Sequence, residues 1–430
     1  MTQHGAALIA AVRADDKAGI WDLLGAGADP DAPGEDGLSA LDIAVGEGLA
    51  AAFEALRQYA KLDRRSSDGF TPLLRAVDAG CYAIADLLTG SSAATGLTGP
   101  DGRTALELAR HWHETGAENE LRRRTGATGP AELSRVPDDE DGFWLTGLLR
   151  LGGAQVRTGH TAILCSLEVA YGIRTPFEEL LARAEAEPDL EHVTHSATVK
   201  VLYQRADRDT WEAAAALRTH PRPSARRFGA DVLRCMALFD ECGGDEGCVE
   251  APGCPVPPSR ELFLGWLTEE TDPEVLAEVI SGLAETDPPD FLDLALPHHG
   301  HPSAVVRRAV VVTLYGQPDD AAVGDRLRPV LLAYLRDSDA SIRGRACETL
   351  AERKERSAEV RDAVARLLDD PEEFVRVEAM RTLTLLDDPR GEEALERFPH
   401  PYDEDAPYFG RLYDAHRHLG QRRAAARAAD

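Results

Sequence analysis

Leu38-Ser39-Ala40-Leu41-Asp42-Ile43-Ala44-Val45 decides the fold, because the pattern recurs. It stands 33 residues earlier as Gly5-Ala6-Ala7-Leu8-Ile9-Ala10-Ala11-Val12 and 32 residues later as Phe70-Thr71-Pro72-Leu73-Leu74-Arg75-Ala76-Val77. It returns after a further 33 as Arg103-Thr104-Ala105-Leu106-Glu107-Leu108-Ala109-Arg110. A unit of this length cannot bury its apolar face alone, so copies stack into a solenoid. A second repeat follows, in nine-residue blocks that begin at Ala225, Val275, Val306, Ile342 and Val375. They end at Leu233, Leu283, Leu314, Leu350 and Leu383, and a weaker copy runs from Thr194 to Leu202. The spacing predicts an all-α chain of tandem α-solenoids with short turns and no extended sheet. Solenoids offer long surfaces more often than reaction centres, which favours binding over catalysis.

Each unit of the first repeat carries its own punctuation. Asp36-Gly37, Asp68-Gly69 and Asp101-Gly102 supply turns in which glycine takes a positive φ. Ser39, Thr71 and Thr104 follow two residues later, placed to cap a helix, and Ala44, Ala76 and Ala109 let a neighbour approach. Ile20-Trp21-Asp22-Leu23-Leu24 reads as a second helix ending at Gly25-Ala26-Gly27-Ala28-Asp29. On these residues the segment from about 4 to 125 resembles the ankyrin repeat. Phe70-Thr71-Pro72-Leu73 fills that family's Thr-Pro-Leu-His slot, while Ile9, Asp42, Leu74 and Glu107 stand where it usually buries a histidine. The resemblance implies about four repeats over 1–125. It also implies a partner-binding face at the turn tips and inner helices, here Asp31 to Glu35, Asp63 to Ser67 (with Arg64 and Arg65) and Ser91 to Pro100.

In the second repeat Asp272-Pro273, His301-Pro302 and Asp370-Pro371 open helices, since proline suits a first turn. Ala363-Val364-Ala365-Arg366-Leu367-Leu368 reads as an upstream partner helix. This pattern resembles HEAT repeats of the phycobilisome-lyase type over about residues 190–395. The resemblance implies that Arg226, Arg307, Arg343 and Arg376 pair with a turn aspartate of an adjoining unit, with Asp272, Asp339 and Asp370 as acceptors. Leu276 replaces the arginine once. The functional alternative is a basic groove extended by Arg227, Arg308 and Arg345.

Between the arrays, residues 126–142 read as a linker, with Pro130, Pro137 and the acidic run Asp138-Asp139-Glu140-Asp141. Phe143-Trp144-Leu145 with Leu148-Leu149 reads as a restarting helix, so the second solenoid spans 143–395. Because both arrays bury small apolar residues, the junction is expected to be a packed seam and not a hinge. Residues 396–430 read as a capping helix and the basic tail Arg422-Arg423-Ala424-Ala425-Ala426-Arg427.

A net charge of −28 argues against coating nucleic acid or anionic lipid, both of which need basic faces. With 43% apolar but only 6% aromatic residues, the core must come from Ala, Leu and Val in closely stacked helices. Only Lys17, Lys61, Lys200 and Lys354 are lysines, the mark of a bias toward GC-rich codons. The first residues do not read as a secretory leader, so none is expected, and Ala309–Leu314 is too short an apolar run for a membrane span. The cysteine usage suits reduced thiols and a cytoplasmic address.

Chemistry-bearing clusters are few. Cys235, Cys242, Cys248 and Cys254 gather at a Gly-rich acidic insertion, 241–258, without any Cys-x-x-Cys spacing. His298, His299 and His301 form the densest histidine group. No cofactor is implied, and zinc is the metal these groups would hold if they converged. His192 and His195 read as partly exposed helix residues. Nucleophile elbows, phosphate loops and His-Glu-x-x-His are missing. The reading is therefore a scaffold that captures a protein or peptide partner with a basic patch. Its candidate contacts are Asp31, Glu35, Arg64, Arg65, Arg227, Arg308 and Arg345. Nucleic acid and membrane are not the expected partners, and oligomeric state is unread. The alternative is a HEAT-class enzyme or accessory factor acting on a peptide, bilin or nucleic acid, for example as a glycosylase.

Overall fold

A computed structural model describes residues 3–90, 95–239, 259–286, 290–315, 317, 320–397 and 408–429. The chain divides into two compact units, Met1–Ala214 and Ala215–Asp430. No described helix is long and apolar enough to cross a membrane.

The first unit opens with four helix pairs: α1 (Gln3–Arg13) with α2 (Lys17–Gly25), α3 (Ala40–Glu47) with α4 (Ala50–Leu56), α5 (Pro72–Ala79) with α6 (Tyr82–Gly90), and α7 (Ala105–Thr115) with α8 (Ala117–Thr125). Leu8, Leu41, Leu73 and Leu106, the residues that set the period, are all buried. The caps form as the local sequence requires. Ser39, Thr71 and Thr104 accept from the N–H of Asp42, Leu74 and Glu107, and the Asp42 and Glu107 carboxylates bond back to the cap residues. Two of the positions that lack histidine thus make a local capping box instead.

The segment expected to be a linker and then a helix is a three-stranded antiparallel sheet, β1 (Glu132–Pro137), β2 (Leu145–Leu151) and β3 (Ala154–Arg157). Leu151 pairs with Ala154, so Gly152-Gly153 is a two-residue hairpin loop, with φ of 61° and 81°. That left-handed pair matches the strand twist and forbids a continuing helix. The sheet packs on the helix pairs. Arg157 Nη2 donates to the Gly48 carbonyl at the C-terminal end of α3 (3.0 Å), and Asp138 Oδ2 accepts from Ala83 N at the start of α6 (2.7 Å). Lys17 holds Glu140 at 2.6 Å. At Gly80 a Cβ would lie 2.1 Å from the Arg157 carbonyl, so only glycine lets the strand approach. Residues 138–157 are therefore bonded into the first unit.

Four more helices complete this unit: α9 (His160–Ala170), α10 (Phe177–Ala186), α11 (Val193–Tyr203) and α12 (Arg208–Ala216), the last crossing the division. His192 and His195 are buried, correcting their expected exposure. His192 N-caps α11, its Nδ1 accepting from Thr194 N (3.2 Å), while Nε2 meets the Thr158 hydroxyl (3.0 Å). Burial pushes its pKa down, which favours the neutral ring this accepting role needs.

In the second unit, α13 (Pro223–Leu238), α15 (Pro273–Glu285), α17 (Ala304–Thr313), α19 (Ala340–Glu352), α21 (Glu373–Leu385) and α23 (Phe409–Ala429) stack in succession. Their partners are α14 (Arg260–Glu269), α16 (Phe291–Ala295), α18 (Ala321–Tyr334), α20 (Ala358–Ala365) and α22 (Pro389–Glu396). All five nine-residue blocks begin and end on buried residues in or at the end of the stacking helices. At the C-terminal end Leu412, Ala415 and Leu419 of α23 cover Val377, Met380 and Leu395, closing the last apolar face.

Candidate interaction surfaces

The arginines that follow the first block residue build one repeated device. Arg226 grips Glu270 through Nε (2.8 Å) and Nη2 (2.9 Å). Arg307 grips Asp337 (2.7 and 2.8 Å), and Arg343 grips Asp370 (2.8 and 2.8 Å), through the same two atoms. In all three rungs Nη1 turns back to the carbonyls six and five residues upstream, as in Arg343 to Asp337 and Ser338. Arg376 repeats only those carbonyl bonds, to Asp370 and Pro371, among the described residues. The device ties each stacking helix to the turn of the next repeat and so sets the stacking angle.

Two acceptors differ from the expected ones. Asp272 and Asp339 cap their own helices, accepting from Glu274 and Val275 and from Ser341 and Ile342. Glu270 and Asp337, two residues earlier, face the arginine instead. Burial works against the Glu270 carboxylate, but bonds from Arg226, Asp272 N–H and Trp266 hold it down at about 2. Asp339 is held at about 2 by bonds from Ser341 and Arg308 that outweigh its burial.

The basic-groove candidates each face a carboxylate of the chain itself. Arg308 meets Asp339 at 2.6 Å, Arg345 meets Glu348 at 2.5 Å, and Arg227 lies 4.0 Å from Glu278. Glu278 is pushed up by burial and by Asp231, with Arg234 and Arg227 pulling the other way. On α17, Val312 is 47% exposed and Tyr315, just beyond its end, 46%, an apolar patch beside Arg308 that the block pattern did not reveal.

On the first unit, Asp31 Oδ1 accepts from Lys61 N (3.1 Å), and Arg64 reaches both Asp31 (3.8 Å) and Asp42 (2.8 Å). Arg65 Nη1 bonds the carbonyls of Gly69 (2.6 Å) and Thr98 (2.7 Å). These side chains stitch successive turns together, while Glu35 is exposed. Trp21 and Tyr59 form an exposed edge-to-face pair, ring centres 5.8 Å apart.

The metal candidates separate. Cys235 is buried, its thiol 3.5 Å from Asp231, and burial followed by that carboxylate pushes its pKa up, which makes it a poor thiolate. Cys242, Cys248 and Cys254 lie outside the described residues. His299 bonds the Leu296 carbonyl (2.7 Å), and His301 Nδ1 accepts from Ser303 N (3.1 Å), the turn bond that Asp337 and Asp370 make in other repeats. His298 is pushed down by burial and by His301. Among the described residues no three His, Cys, Asp or Glu side chains come together as a metal site would require.

Residues 328–406 match the HEAT-repeat family. The X-ray structure of the YibA protein of Escherichia coli aligns over 57% of this chain and 82% of its own, at 19% identity and a TM-score of 0.42. No curated protein matches the chain.

Proposed function

We propose that this chain is a protein-interaction scaffold. On this reading the four helix pairs over residues 1–125 are ankyrin repeats that take a protein or peptide partner along their turn tips. The helical array of the second unit adds its own surface, with Tyr315 and Val312 as apolar anchors among charged side chains. The observation that carries the reading is the pairing of Arg308 and Arg345 with carboxylates of the same chain, with Arg227 at 4.0 Å from Glu278. With Arg308 and Arg345 engaged, a chain of net charge −28 attracts a partner with basic patches, and the association weakens as salt rises. No cofactor enters this mechanism. The reducing cytoplasm suits it, since Cys81, Cys165, Cys235 and Cys347 are free and buried.

The test is affinity capture of the full chain from its native cell at low salt, without crosslinking. A stoichiometric protein partner, released by salt and lost on charge reversal at Asp31 and Glu35 or on Tyr315→Ala, supports the scaffold. Stoichiometric zinc lost on Cys242→Ser, or duplex DNA held at physiological salt, would overturn it.

A further inference from the structure

A trough crosses the first unit between α6, α9 and α11. Two contiguous cavities of about 280 and 220 Å³ share Val169, Val201 and Gln204 as a common wall. Val169 and Ile173, 50% and 40% exposed, leave apolar surface facing solvent. The Gln204 amide makes no side-chain hydrogen bond among the described residues, so it has donors and an acceptor to offer.

The charges along the trough are unequal. At one end Lys200 is tied to Asp86 at 2.7 Å, and Ser166 bonds the same carboxylate. At the other end Arg174 is tied to Asp207 at 2.8 Å. Arg205, which lines that end, bonds only the Thr175 carbonyl (2.6 Å) and has no carboxylate within 4 Å among the described residues. Burial and then repulsion from Arg174 push its pKa down, and Asp207 offsets this only in part. Like Arg376, Arg205 is a half-buried guanidinium that bonds only carbonyl oxygen among the described residues, but Arg205 lines a trough with exposed apolar walls.

We infer that this trough is a peptide-docking site for an apolar segment of a partner protein that carries an Asp or Glu side chain. The apolar side chains lie on Val169, Val201 and Ile173, Gln204 bonds the peptide backbone, and the carboxylate completes Arg205. A C-terminal carboxylate is the poorer fit, because capture of a chain end uses a nest of free backbone N–H groups. Here the N–H groups of Gly172 and Ile173 are already bonded to Val169 and Glu168. The inference rests on the scaffold reading but adds a second, acidic-apolar specificity to it.

The experiment is selection of a 12-residue peptide display library on the full-length chain, followed by fluorescence anisotropy with the enriched peptides. Expected are peptides pairing apolar residues with Asp or Glu, whose affinity falls at least tenfold with Val169→Asp and with Arg205→Met. Replacing the peptide's Glu by Gln should weaken binding to the wild type but not further to the Arg205→Met chain. Val169 is exposed, so its variant keeps the fold, and unchanged circular dichroism and thermal unfolding verify this for both. Failure to enrich such peptides, or enriched peptides indifferent to Val169 and Arg205, overturns the inference. Dependence on a free terminal carboxylate would overturn the assignment to a side chain. A cellular partner whose capture ignores Arg205→Met leaves the scaffold reading standing while the trough proposal falls.

Discussion

Replacing Arg343 by alanine tests the arginine device at its most buried rung. The side chains of Arg343 and Asp370 are only 11% and 4% exposed. The change removes two 2.8 Å carboxylate bonds and two bonds to the carbonyls of Asp337 and Ser338. It also leaves the Asp370 carboxylate buried with the Glu372 N–H at 3.0 Å as its remaining hydrogen bond and only the more distant charge of Arg376 to offset it. Removing one partner of such a pair costs about 3–5 kcal/mol, mostly from stranding the other charge. Arg376 supplies the internal control. It makes the same carbonyl bonds with no carboxylate among the described residues, so Arg376→Ala should cost only about 1–2 kcal/mol. Two units need not unfold together, so the measurement is native-state hydrogen exchange, read as the opening free energy of α19 and α21 amides. The double change Arg343→Met with Asp370→Asn should recover part of the loss, because no charge is then stranded. Asp370 is held below the usual carboxylate range, its burial being outweighed by Arg343. A depressed folded pKa means the rung contributes fully above the unfolded value of about 4 and is lost as pH falls through the folded value. Arg343→Ala should remove that acid sensitivity. A cost below about 1 kcal/mol, or one equal to that of Arg376→Ala, would refute the reasoning.

Gly80→Ala places a methyl 2.1 Å from the Arg157 carbonyl at a φ of +70°, so it should displace β3 and expose α5 and α6 to exchange. Gly102→Ala, at φ +80° with nothing within 4 Å, should cost only about 1 kcal/mol. His160 is fully buried against Trp112, ring centres 4.3 Å apart, and burial pushes its pKa down to about 4. The unfolded ring binds a proton from about 6.5 downward and the folded ring does not, so the first unit should lose up to about 3 kcal/mol between pH 6.5 and 4. His160→Phe keeps the stack and should flatten that part of the pH profile; an unchanged profile would assign the acid sensitivity elsewhere. Leu412→Ala opens the cap over Met380 and Leu395 and should cost about 2–5 kcal/mol, seen as faster exchange in α21.

Much of this fold is legible because its determinants are local. Ser39, Thr71 and Thr104 cap helices three residues away, and the leucines of each period fall on one face whatever the rest of the chain does. The arginine rungs are legible only in part. The acid nearest a helix start, Asp272 or Asp339, is claimed by its own N–H groups, which leaves the one two residues before it for the arginine. Gly152-Gly153 carries a hairpin signal, but the leucines beside it satisfy a helical pattern equally well, and the strand pairing that decides between them is not written in either alone.

The sequence by itself determined two helical arrays, their caps and the residues of their cores, because periodicity and capping act over one or two turns. Only the tertiary structure decided that residues 138–157 bind back onto the helix pairs, since that rests on contacts between Asp138 and Ala83 and between Arg157 and Gly48, far apart along the chain. It likewise decided which arginines are engaged and which is left at a trough. Whether a guanidinium is spare depends on carboxylates that arrive from other elements, and the chain offers too many for sequence to say which ones do.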